Sequence, residues 1–221
     1  NPYNALMAMH FNPAGLAYYP TKVGFNFGFN YSGFNPALAD ESGSFVYTAG
    51  SYKLPEVGAF GYSFRYLGLG TQEKTGVGNP FGVSLFESYE FEFSLAYAYV
   101  ISDEFMAGIK TSVLKNQITA AGEVAEGYTA KAPSGVSLDL GVLYKFGGRY
   151  NTNVAASINN LGSKMQFLEK PTGRERFNIP TIFRLGAKSD LFDFNDHVGK
   201  ISGEIEMRVL STVGTATGIN L

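Results

Sequence analysis

Apolar and polar side chains alternate residue by residue along most of this chain. In YEFEFSLAYAY, residues 89–99, the odd positions hold Tyr89, Phe91, Phe93, Leu95, Tyr97 and Tyr99, while the even ones hold Glu90, Glu92, Ser94, Ala96 and Ala98. Successive side chains of a strand point to opposite faces. The period therefore predicts a β-strand with one strongly aromatic face and one face of charges and small residues. VGFNFGFNYSGF (23–34), FGYSFRY (60–66) and VSLDLGVLYKF (136–146) repeat the pattern, the last two with Arg65 and Asp139 on the polar side. Weaker copies run through 45–53, 104–118, 151–162, 181–190 and 200–210, placing Lys110, Arg184, Glu204, Glu206 and Arg208 on the same polar side.

The count is about nine strands, with no long helix beyond a short candidate near Asn4 to Met9. The fold class is all-β and antiparallel. Several strands exceed the usual five or six residues and suit a tilted crossing of a bilayer. The connections SDE (102–104) and GGRYN (147–151) are tight, whereas 70–86, 117–134 and 163–179 read as long loops. Tight turns on one rim and long loops on the other are the habit of an outer-membrane barrel.

Composition turns this pattern toward the membrane. Charged residues are 16% of the chain, against roughly 25% in soluble domains, while Gly (27), Tyr (14) and Phe (19) are plentiful. A soluble sandwich alternates too, but these polar faces carry too much Gly, Ser and Ala to be a solubilising surface. The aromatics are accordingly expected to face lipid, Tyr97 among them with a hydroxyl that leucine could replace at little cost. The charges are expected to face a lumen, where Arg65, Glu90, Glu92, Lys110, Asp139, Arg184, Glu204, Glu206 and Arg208 must pair or meet water, because an isolated buried ion is very costly.

Candidate chemistry is sparse. A net charge of −2 offers no footprint for nucleic acid. The absence of Cys removes thiolate nucleophiles and Cys-type zinc sites. His10 and His197 are read as packing or solvated residues, so no metal, cofactor or catalytic residue is assigned. The Gly-rich run at 68–78 lacks the Walker spacing and is read as a loop. No signal-peptide series opens the sequence at Asn1-Pro2.

FNPAGLAYYP (11–20) resembles the NPA segment near the N-terminus of FadL-like outer-membrane barrels. GYSFRYLGLG (61–70), FSLAYAYVISDEFMAGIKTSVLK (93–115) and VAASINNLGSKMQFLEK (154–170) resemble strand wording of the PorV/PorQ branch of that group. The resemblance implies a bacterial outer-membrane barrel of about fourteen strands. Residues 1–22 would fold inward as a hatch marked by Asn12, Pro13 and Ala14, and residues 23–221 would form the barrel. It further implies a non-catalytic shuttle or partner subunit of the type IX secretion system, meeting outer-membrane lipid and a translocon subunit or secreted cargo. The alternative is a channel for hydrophobic small molecules. The final GTATGINL departs from the family's terminal aromatic strand and points to strands beyond Leu221, or to residues absent near Leu210 to Gly214.

Overall fold

The computed structural model describes residues 9–18, 24–34, 43–76, 79–117, 122–125, 128–170, 173–194, 197–211 and 217–220, with some side chains inside those ranges left out. The strands are β1 (Gly24–Phe34), β2 (Gly43–Leu54), β3 (Gly58–Gly76), β4 (Asn79–Val100), β5 (Phe105–Gln117), β6 (Gly122–Ala125), β7 (Tyr128–Ala130), β8 (Ser134–Lys145), β9 (Asn153–Gly162), β10 (Lys164–Lys170), β11 (Gly173–Asn178), β12 (Thr181–Phe194), β13 (His197–Ser211) and β14 (Thr217–Asn220). Ten of them form one antiparallel wall in the order β1-β2-β3-β4-β5-β8-β9-β12-β13-β14. Every run read as a strand in the sequence lies in this wall. Among the described residues β1 and β14 are its edges and do not pair with each other.

The wall is inverted relative to a soluble sheet. Phe29, Leu95, Val136, Leu185 and Ile205 on the apolar face are all more than half exposed. Ser94, Lys110, Ser112, Ser137, Asp139, Ser157 and Asn159 on the opposite face are buried. In water this arrangement would expose a continuous apolar surface far beyond what a soluble monomer tolerates; in a bilayer that surface meets lipid. The aromatic side is thus the outside of the wall. Tyr97 departs from the sequence reading, because its hydroxyl donates to the Val57 carbonyl at 2.6 Å. It is an anchor at the short-turn rim, where the backbone of the 55–57 turn offers an acceptor that no pattern of side chains could reveal.

The long connections differ from the expected loops. Residues 70–76 and 79–86 continue β3 and β4 as a hairpin. The pairing slips between Gly68 and Thr71, where Gly70 adopts a φ of 79° that glycine tolerates without strain. The excursions after β5 and after β9 fold into a second, four-stranded sheet, β11-β10-β7-β6, at the same rim. We call it the rim sheet. Its β7–β10 pairs, Ala130 with Leu168 and Thr129 with Glu169, prolong almost in register the β8–β9 ladder that includes Ser137 with Gly162.

Candidate functional site

The N-terminal segment lies against the inner face. Asn12 is extended, and its Oδ1 accepts the Ala14 N–H at 3.0 Å to cap the 3-10 turn Pro13–Leu16. Pro13 occupies the first position of that turn, where a missing N–H costs nothing. The Asn12 amide donates to the carbonyls of Val142 and Ala156, each at 3.1 Å. Those two residues face one another across β8 and β9. Ser157 Oγ lies 2.9 Å from the Phe11 carbonyl, and Lys53 Nζ donates to the Ala17 carbonyl at 2.9 Å. Met9, Ala14, Leu16 and Ala17 then bury themselves against Ala59, Ala96, Ala98 and Met106, which together are the apolar core.

The small residues of the polar face explain how the segment fits. A Cβ added to Gly61 would sit 2.6 Å from Met9 Sδ, and one added to Gly108 would sit 2.5 Å from the Pro13 carbonyl carbon. One added to Gly141 would collide with Asn12 Oδ1. These glycines leave room for the segment's backbone to approach the wall. Gly108→Val is therefore expected to unseat it, at about 1–3 kcal/mol of overpacking. The check is limited proteolysis of residues 9–18 in vesicle-reconstituted protein, with Gly147→Ala, where the added carbon meets nothing within 4 Å, remaining as resistant as the parent.

Beside the segment, charged residues singled out in the sequence meet in one belt. Arg65 Nη2 contacts Glu92 Oε2 at 2.8 Å and Glu90 Oε1 at 3.4 Å. Lys110 Nζ bridges Glu92 Oε1 at 3.7 Å and Asp139 Oδ2 at 2.8 Å. Asp139 also accepts from Asn159 Nδ2 at 3.2 Å and from the Asn160 N–H at 2.7 Å, and Arg184 Nη1 donates to Asn159 Oδ1 at 2.9 Å. The belt thus crosses β3, β4, β5, β8, β9 and β12. Glu204, Glu206 and Arg208 fall on β13 opposite Gly186, Arg184 and Ile182, but their side chains lie outside the described residues, as does His197.

Three groups of the belt were not foreseen. Asn116 donates to Glu90 at 2.9 Å, Ser94 to Glu92 at 3.0 Å, and Asn159 joins Asp139 to Arg184. Their parity places them on the polar face; attention to formal charge alone passes over them. Asp139 also sits at a β-bulge, where the β8–β9 register slips between Leu138 and Leu140 so that Asn159 and Asn160 oppose one residue. Asn160 takes a φ of 61° there, a conformation asparagine adopts more readily than most residues.

Above the belt is a recess of about 480 Å³. His10, Arg65, Glu92 and Lys110 line one part of it, and Met165, Phe167, Phe177 and Ile179 of the rim-sheet side line another. His10 keeps an exposed surface and borders this recess. Burial above all, then Lys110, Arg65 and Arg184, holds its imidazole below the ordinary range although Glu92 pulls the other way. Among the described residues no three His, Cys, Asp or Glu side chains gather as metal ligands.

The chain matches the family described as "Type IX secretion system protein PorV" over residues 4–216. No curated protein matches it. Among solved structures it is similar in fold to "TodX deltaS2S3 mutant monoaromatic hydrocarbon channel", with a TM-score of 0.51 at 16% sequence identity, covering 96% of this chain and 67% of that one.

Proposed function

The chain belongs to the PorV family of type IX secretion system proteins of the outer membrane, and from that premise we propose that it works without catalysis, as a partner or shuttle subunit that holds a translocon subunit or a secreted protein. The observation that supports this reading is the rim sheet. Long connections that could have remained loose are built into a four-stranded surface at one rim, and among the described residues its terminal strands β6 and β11 each pair on one side only, the kind of edge to which a partner's strand can add. In this reading residues 9–18 act as a hatch that fills the interior, and the belt of charges is the lumen's polar lining. Contact is then made from the rim and not through the bore.

The second reading, a channel for hydrophobic molecules, draws on the similarity to the hydrocarbon channel and on the recess above His10. Against it stands the lining: Arg65, Glu90, Glu92, Lys110, Asp139 and Arg184 all border that recess, and an apolar solute there would remove solvent from ions while offering them no bond. A photo-crosslinking residue at exposed Tyr128 on β7, introduced into secreting cells, separates the two. Adducts with a secretion subunit or a secreted protein are expected there and not from lipid-facing Ile205. No adduct at Tyr128, together with toluene uptake that depends on this protein, would sink the partner reading.

A further inference from the structure

The rim sheet has two unlike sides. Met165 and Phe167 of β10 face the recess, while Lys164 and Gln166 of the same strand line a separate groove of about 590 Å³ with Lys131, Ser134, Glu169 and Arg176. Lys131 Nζ bonds Glu169 Oε2 at 2.9 Å. Among its described lining residues the groove thus gathers cations from the β7–β8 link, from β10 and from β11 around a single carboxylate.

Its position says what those cations meet. On β8 the outward-facing residues are Val142, Leu140, Leu138 and Val136, and Ser134 is the next in that column, exposed on the same side. Leu161 of β9, opposite Leu138, is exposed beside it. At about 3.3 Å per residue, Ser134 stands about 7 Å beyond Val136, just past the end of the apolar column. The groove therefore begins where lipid-facing side chains stop, at the rim of long connections, which in outer-membrane barrels faces the exterior. That is the height of lipid headgroups. We propose that this groove binds the phosphate-bearing headgroup of an anionic lipid of the outer leaflet, whose acyl chains run down the column from Val136 to Val142. Arginine and lysine suit a phosphate through charge-assisted hydrogen bonds, and continuity with the lipid-facing column favours a lipid over an acidic protein segment. The inference is independent of the secretion role.

The test uses the full chain folded into phosphatidylcholine vesicles containing diphosphorylated lipid A or the same lipid with its phosphates removed. Co-purified lipid is measured by mass spectrometry after extraction into mild detergent. The parent should retain the phosphorylated form selectively. Lys164→Gln and Arg176→Gln should each weaken retention about fivefold, and the double variant about 25-fold, from the usual contribution of a cation near a charged headgroup. Arg149→Gln, on the opposite rim, should change nothing. Heat-shifted migration on gels confirms that each variant is folded; should the double variant fail to fold, the single ones carry the comparison, together with loss of selectivity in the parent at high salt. Equal retention of the two lipids, or unchanged retention in the folded variants, would overturn the proposal. Capture of a glutamate-rich peptide without phosphate-selective lipid retention would assign the groove to an acidic protein and overturn it as well.

Discussion

Asp139→Leu is expected to destabilise the folded protein by about 3–5 kcal/mol, the usual cost of breaking a buried ion pair by removing one partner. Asp139 is 1% exposed and Lys110 5%, so the ammonium left behind has little water to turn to and keeps only its longer contact with Glu92 at 3.7 Å. The same carboxylate accepts the Asn160 N–H and the Asn159 amide, and leucine leaves both donors at the bulge without it. The effect should appear as a lower urea midpoint for protein folded in lipid vesicles, with unchanged slope. Lys110→Met combined with Asp139→Leu should recover a good part of the loss, because the pair is then replaced and not broken. If the double variant is as unstable as the sum of the single ones, the pair is not what holds the belt.

The second large effect is on the outside. Phe93 is 41% exposed and lies midway along the outward row of β4, between Tyr89 and Tyr97, facing Phe64 and Val113 on the neighbouring strands. Phe93→Arg puts a cation near the middle of the lipid-facing band, where it costs about 2–4 kcal/mol in a barrel. Glu92→Leu differs in kind: it leaves the lipid surface unchanged and removes the acceptor shared by Arg65, Lys110 and Ser94. Folding titrations into vesicles of two thicknesses tell them apart, since the Phe93 variant alone should be relieved when the bilayer is thinner. A Phe93→Arg variant that folds into both as the parent does would overturn the assignment of this face to lipid.

How far the sequence carried the fold is clear from these two residues. Parity put Phe93 outside and Glu92 inside, because a strand crossing lipid must sort its side chains at every step. It also put Arg65, Glu90, Lys110, Asp139 and Arg184 on the side where they meet. It could not say which of them pair, since pairing depends on register between strands that are distant in the chain, as Lys110 and Asp139 are. The rim sheet escaped for the opposite reason: residues 163–179 are rich in charge and in turn formers and carry no long alternating run, so they look like loops until their partners are known. Gly61, Gly108 and Gly141 were visible only as a surplus of small residues. Their purpose emerges once Met9, Asn12 and Pro13 are seen lying on them.

The near-continuous register from β9–β8 into β10–β7 bears on the order in which the chain folds. Ala130 and Leu168 are far apart in sequence, and pairing them directly would close a long loop at a considerable entropic cost. The β8–β9 hairpin turns at 146–152, and once it has formed the two chain ends already leave the wall side by side. The pairing of β7 with β10 then needs only zippering of the next few residues, on the microsecond scale of hairpin growth and not that of a distant encounter. A weakened turn at Gly148 or Asn151 should slow the rim sheet along with the wall, whereas damage to β6 or β11 leaves the hairpin's own closure untouched.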